Sequence, residues 1–164
     1  MHSAWDVNEI YTNLWQGSRP PPGNLVAAKG FKVLVLAAEE WQQADRYPGV
    51  KVILAPGDDD ENPQCLQQSL PTWIDAAKQV AEHVKAADKV LVTCMAGLNR
   101  SGFISTYALH LLTGWSGPWC VDRIQRRRQY ALCNRTFEKF LLENLQGTVK
   151  HPDEGPLVEI AEDK

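Results

Sequence analysis

The sequence predicts a single α/β domain built on a central, mainly parallel but mixed sheet flanked by helices. Three observations lead there. Short apolar runs bounded by turn residues alternate with stretches of helical periodicity. That alternation is the pattern of a mainly parallel sheet with helices on both faces. The chain of 164 residues is the size of one domain and long enough to bury a core.

Taken in order, Ile10 to Trp15 is expected as an edge strand. The triple proline at 20–22 and Gly23 make a loop, and Leu25 to Gly30 reads as a short helix. Lys32 to Leu36 and Val50 to Leu54 are strands, with a helical turn over Glu39 to Asp45 between them. A polar loop runs from Pro56 to Gln64. Trp73, Ile74, Ala77, Val80, Ala81 and Val84 then recur at helical spacing, with Ser69 and Pro71 as start signals. Lys89 to Thr93 is a strand that feeds a loop at Cys94. The following helix carries Ile104, Tyr107, Ala108, Leu111 and Leu112 on one face and stops at Gly114. Pro118 opens a helix to about Tyr130, and Phe137, Phe140, Leu141 and Leu145 stripe the last one. The domain is expected to span 1–145. Residues 146–164, with two prolines, two glycines and no periodicity, are expected as a flexible tail.

Composition narrows the class. Seventeen basic against twenty acidic residues give a formal net charge of −3, so no global field draws nucleic acid or an acidic membrane. No apolar stretch approaches a membrane span and the N-terminus lacks a signal-peptide pattern, so a membrane is not an expected partner. The cysteines at 65, 94, 120 and 133 have neither metal-ligand spacing nor the density of a disulfide framework. A reducing, cytoplasmic setting and no cofactor or metal are expected.

The chemistry concentrates in Lys89-Val-Leu-Val-Thr-Cys94-Met-Ala-Gly-Leu-Asn-Arg100-Ser101-Gly102. An apolar strand passes through a short loop into a helix, at the strand's carboxyl end, where open α/β sheets bind ligands. Such a loop can aim backbone N–H groups inward above a helix N-terminus, which suits an anion. A cysteine held there is favoured as thiolate. Arg100 adds a planar fork that can take two phosphate oxygens. A nucleophile, an oxyanion cradle and a fixed cation in one turn of chain point to phosphoryl transfer onto cysteine.

On Cys94, Gly97, Arg100 and Ser101, the loop resembles the His-Cys-x5-Arg-Ser/Thr signature of the cysteine-dependent protein tyrosine phosphatase superfamily, in its compact dual-specificity branch. The likeness extends to Glu9–Ser18, similar to that family's opening strand, and to Arg123–Arg128 with Ala131, Leu132, Asn134 and Phe137, similar to its penultimate helix and exit. About residues 5 to 145 are covered. The resemblance implies a phosphatase-like fold, Cys94 as nucleophile, Arg100 and the Met95, Ala96, Gly97, Leu98 and Asn99 backbone as phosphate ligands, and Ser101 donating to the departing sulfur. It also implies a general acid from a loop about thirty residues upstream. Pro56-Gly57-Asp58-Asp59 fits the family's Pro-x-x-Asp pattern and selects Asp59, with Asp58 and Asp60 as rivals.

Two departures stand out. Thr93 occupies the histidine position, which predicts weaker thiolate stabilisation. Asn99 before Arg100 is similar to the loop of cysteine-dependent RNA 5′-phosphatases. Loop positions 95, 96, 98 and 99 are uncharged, which disfavours multiply phosphorylated lipid headgroups. The resemblance therefore implies a phosphorylated protein as substrate, with phosphotyrosine and the phosphorylated hydroxyl amino acids as candidates. An RNA 5′-triphosphate or diphosphate, drawn by Arg123, Arg126, Arg127 and Arg128, is the alternative. A catalytically silent phosphate-binding module is the third reading.

Overall fold

The computed structural model describes residues 5–154. Its sheet has five strands in the order β1-β2-β5-β3-β4, formed by β1 (Val7–Tyr11), β2 (Leu14–Gly17), β3 (Val33–Ala38), β4 (Lys51–Gly57) and β5 (Val90–Thr93). β2, β5, β3 and β4 are mutually parallel, and only β1 runs antiparallel to its neighbour. The expected mixed, mainly parallel sheet is what the chain builds.

Both faces are covered, and the strands show it residue by residue. Val33, Val35, Val90 and Val92 point into the larger core beneath α2 (Pro63–Lys85), α3 (Arg100–Thr113), α4 (Gly117–Arg127) and α5 (Arg135–Asn144). Leu34, Leu36 and Leu91 point to the other side, where Val26 of α1 (Leu25–Ala28), Phe31 and Tyr47 cover them. Successive side chains alternate faces, so a run apolar at every position is what a doubly covered strand requires.

Three sequence expectations are corrected. The strand expected over 10–15 is a hairpin, because Asn13 adopts a left-handed backbone (φ 64°) and turns the chain between β1 and β2. α2 begins at Pro63, well before the Ser69 and Pro71 start signals, because Asn62 accepts the Gln64 N–H at 2.9 Å and Pro63 has no N–H to satisfy. Pro71 lies inside that helix. The stretch from 146 is anchored as far as Glu154: Thr148 and Val149 donate to Gly114 O at 2.7 and 3.0 Å, and His151 is buried, stacked on Trp119. Residues 155–164 of the expected tail lie outside the described residues.

α4 crosses the outer edge of β1. Arg127 Nε donates to Glu9 O at 3.0 Å and Arg123 Nη1 to Ile10 O at 3.4 Å, so the edge strand's outward carbonyls are occupied. Arg123 also lies over the Tyr11 and Trp115 rings, and Arg126 pairs with Asp122 at 2.7 Å. The arginine run is therefore spent mainly on the fold.

At the centre, Trp73 of α2 is fully buried against Phe103 and Phe137, and its Nε1 donates to Ala55 O at 2.9 Å. Its ring also fits against Gly57, where any β-carbon would come within 2.3 Å of it. One side chain thus joins three helices to the end of β4, from which the 58–62 loop departs. Trp73→Ala is expected to lower stability by about 3–5 kcal/mol, the range for emptying a buried aromatic site. A urea unfolding curve with unchanged slope and a lower midpoint would show it.

Candidate active site

Cys94 ends β5 and Arg100 opens α3, so the five residues between them form a loop at the carboxyl end of the sheet. The loop's carbonyls are all turned outward and tied down. Met95 O accepts from Arg19 N at 3.0 Å, Ala96 O from Arg128 Nη2 at 3.0 Å, and Leu98 O from Leu132 N at 3.0 Å. Gly97 O accepts from Gln16 Nε2 at 2.9 Å and from Arg128 Nε. None of the Met95–Asn99 N–H groups donates to another described residue. With the acceptors fixed on the outside, the donors are left for the inside of the loop.

Sterics fix the same shape. Gly97 has φ 74°, and a β-carbon there would lie 2.4–2.5 Å from the Gly17 backbone and Arg128 Nη2. A side chain at 97 therefore meets both backbone strain and collision. Arg128 is itself held in place, with Asp6 taking Nη1 and Nη2 at 3.1 and 2.8 Å and Asn8 taking Nη1 at 2.9 Å.

Inside the cradle, Cys94 is nearly buried, and its Sγ lies 3.2 Å from the Oγ of fully buried Ser101. Asn99 offers no side-chain cap to α3, so the donors of the first helical turn are not met by a capping group. Arg100 is buried and oriented by two acceptors. Glu40 takes Nη1 and Nη2 end-on at 2.7 and 2.9 Å, and Gly57 O takes Nη1 at 3.0 Å. Its Nε is buried with no hydrogen-bond partner among the described residues. Since the guanidinium has five N–H donors, Nε–H and the second Nη2–H remain as a side-on fork. One face of the guanidinium is thus set by a carboxylate.

Burial alone opposes the Arg100 charge, but the Glu40 hydrogen bonds and the fields of Cys94, Glu40 and Asp59 outweigh it and raise its pKa. The Arg100 hydrogen bond holds the Glu40 carboxyl below the usual range against a smaller desolvation effect. The flanking loop is pinned too: Tyr47 Oη donates to Pro20 O at 2.7 Å and accepts from Trp41 Nε1 at 2.6 Å, and the Arg19 guanidinium lies over Trp41.

The three aspartates are separated by their partners. Asp59 reaches the loop, accepting from Asn99 Nδ2 at 3.0 Å and Asn134 Nδ2 at 2.9 Å. Asp58 accepts only the Asp59 N–H, and Asp60 only the Asn62 N–H, within their own turn. Thr93, at the position of the family's histidine, sends its hydroxyl to Val35 O at 2.7 Å and braces the sheet. Of the other thiols, Cys133 reaches the loop, its Sγ donating to Asn99 Oδ1 at 3.5 Å. Burial pushes Cys120 up to about 12. Partial desolvation, then the Asp60 and Asp58 charges, raises Cys65.

Sequence reading gave no site role to Gln16, Glu40 or Asn134, and gave Arg128 only that of drawing an anionic substrate. Gln16 carried a signal, since a polar residue inside the apolar run before Gly17 must find a buried partner. Glu40 carried none, because its pairing with Arg100 joins residues sixty positions apart.

No protein-family model matches this sequence, and no curated protein does. Solved structures do. A mouse putative dual specificity phosphatase, in a complex with zinc tungstate, superposes with a TM-score of 0.71 at 23% identity over 86% of this chain and 87% of that one. Tk-PTP in its active form gives 0.70 at 22% identity, over 88% and 98%. Human DUSP28 gives 0.67 at 26% identity, over 85% and 92%. The fold is that of the cysteine-dependent protein tyrosine phosphatase superfamily, in its compact dual-specificity form.

Two outcomes are expected of the loop's supports. Arg128→Met removes the donors that hold Ala96 O and Gly97 O, and should weaken any binding of inorganic phosphate at the loop by at least about tenfold, the scale of one lost charged hydrogen bond. Titration calorimetry reads it, with circular dichroism confirming the fold. Glu40→Gln should lose stability relative to wild type only where Glu40 is ionised. Because the folded pKa lies below the unfolded one, the Glu40 contribution is present above the unfolded value and is lost as pH falls through the folded one. The two unfolding midpoints should therefore differ at neutral pH and converge in acid below about pH 4.

Proposed function

We propose that the protein hydrolyses phosphate monoesters through a cysteinyl-phosphate intermediate, with phosphorylated protein side chains as substrates. The observation that carries this is the loop itself: its carbonyls point outward, its N–H groups are unspent, and a nucleophile lies at its base beside a half-free buried guanidinium. That arrangement is suited to binding a tetrahedral dianion with its phosphorus facing Cys94 Sγ.

In the first step, Cys94 thiolate attacks phosphorus. The Sγ–P bond forms as the bond from phosphorus to the ester oxygen breaks, and Asp59 passes its proton to that oxygen. The loop N–H groups and the Arg100 fork take the charge on the three equatorial oxygens. In the second step water attacks phosphorus and gives its proton to Asp59, while the S–P electrons return to sulfur. Ser101 Oγ, 3.2 Å away, donates to the thiolate as it leaves. Inorganic phosphate departs and the enzyme is restored.

Substrate class follows from what the site lacks. The loop side chains Met95, Ala96, Leu98 and Asn99 bring no extra cation for a second phosphate. The features that suggested RNA have other partners: Asn99 is engaged with Asp59 and Asn134, and the α4 arginines with Asp6, Asn8, Asp122 and backbone carbonyls. A phosphorylated hydroxyl side chain fits the site best.

Hydrolysis of 4-nitrophenyl phosphate without added metal tests the reading. Cys94→Ser should abolish turnover. Asp59→Asn should lower turnover of this activated ester only modestly, and should cost on the order of 10²-fold, the range for losing a general acid, on an ester of a more basic leaving group such as phenyl phosphate. Asp58→Ala and Asp60→Ala should stay within about threefold, as surface changes away from the reacting atoms do. Undiminished turnover by the Cys94 variant would sink the proposal.

A further inference from the structure

Asp59 is gripped on both carboxylate oxygens by amides from two different elements. Asn99 Nδ2, on the phosphate loop, donates to Oδ2 at 3.0 Å, and Asn134 Nδ2, at the start of α5, donates to Oδ1 at 2.9 Å. The two asparagines are joined in turn, since the Asn134 N–H donates to Asn99 Oδ1 at 2.9 Å. Asn134 Oδ1 caps α5, accepting from Thr136 N and Phe137 N at 3.1 Å each. Each amide thus has its oxygen committed to backbone N–H groups, which leaves its NH2 to face the carboxylate. That network fixes the amide orientations. Alongside, Arg135 N donates to Glu61 Oε2 at 3.1 Å and Thr136 Oγ1 donates to Glu61 O, so the whole 58–62 turn is stapled to the head of α5.

We infer that Asn99 and Asn134 are positioning residues that hold the Asp59 carboxyl over the phosphate loop for proton transfer, an inference that rests on the phosphatase reading above. The 58–61 turn is exposed and holds no apolar side chain that could anchor it. A carboxyl on such a turn reaches the leaving oxygen only when something fixes it, and displacements of about 1 Å already cost on the order of 10²-fold in rate. The clamp suits both halves of the cycle. A protonated carboxyl keeps acceptor lone pairs on both oxygens, so both amides can stay bonded as the proton leaves and returns. Asn99 also ties this clamp to the residue next to Arg100. The acid and the cation are therefore set from one point of the chain.

The test separates positioning from general damage. Asn134→Ser keeps a hydroxyl able to cap α5 but removes the amide donor to Asp59. Asn99→Ser does the equivalent on the loop. kcat/KM is measured for 4-nitrophenyl phosphate, whose leaving group needs little protonation, and for phenyl phosphate, whose leaving group needs much. Asn134→Ser should lower the phenyl ester about 10²-fold and the 4-nitrophenyl ester far less. Asp59→Asn should show the same selectivity, and Asn134→Ser combined with it should add nothing, because residues acting through one group are non-additive. Equal losses on both esters in a variant whose circular dichroism and melting match wild type would overturn the inference. So would losses that multiply those of Asp59→Asn. If Asp59→Asn treats both esters as wild type does, the acid assignment fails and the clamp with it. Turnover surviving Cys94→Ser instead removes the phosphatase reading underneath.

Discussion

The buried guanidinium of Arg128 under the Cys94 loop is the contact on which the site depends. A backbone loop that presents several N–H groups to one point has to expose as many carbonyls on its outer side. Buried carbonyls without partners cost free energy comparable to lost hydrogen bonds. Arg128 meets two of them, Ala96 O and Gly97 O, from a single planar group, and Asp6 and Asn8 hold that group from behind. Gln16, Arg19 and Leu132 complete the outer set. The charge is nearly buried but paired, which is the condition under which a buried cation is tolerated.

That constraint organises much of the fold around it. α4 has to lie along β1 so that Arg128, at its end, reaches the loop, and on the way Arg123 and Arg127 close the edge of the sheet. Beyond it the chain turns through Tyr130 and Leu132, both with positive φ (70° and 63°). Such non-glycine residues cost on the order of 1–3 kcal/mol each and persist only where the surroundings over-determine them. Here the return is specific: Leu132 N reaches Leu98 O, and Asn134 is delivered to cap α5 and face Asp59.

The two charged groups that face each other across the site, Arg100 and Glu40, follow the same logic on the other side. Glu40 takes one face of the guanidinium and so decides which face is left for an anion. Trp73 sets Gly57 and hence the position of the carbonyl that completes the Arg100 shell. The position of the Arg100 guanidinium is thus set by residues outside the Cys94 loop.

Much of this was legible in the sequence. Doubly buried strands announce themselves as unbroken apolar runs, so β3 and β5 could be placed to within a few residues. A cysteine, a glycine and an arginine in one short loop are contiguous, so the loop and the expectations placed on Cys94, Gly97, Arg100 and Ser101 came from the sequence alone. The hairpin at Asn13 and the early start of α2 were harder, because a single left-handed residue and a single capping asparagine leave little periodic trace. What the tertiary structure alone decided is which distant groups share a hydrogen bond. What sets Asp59 apart from its two neighbours is a pair of amides forty and seventy-five positions away. Residues adjacent in the chain have equal claims by composition, and only the packing of α5 against the loop gives them different partners. The sequence by itself determined which groups the Cys94 loop carries, since that is a property of contiguous residues. The fold decided what braces the loop and which carboxyl faces it, since those are properties of long-range contacts.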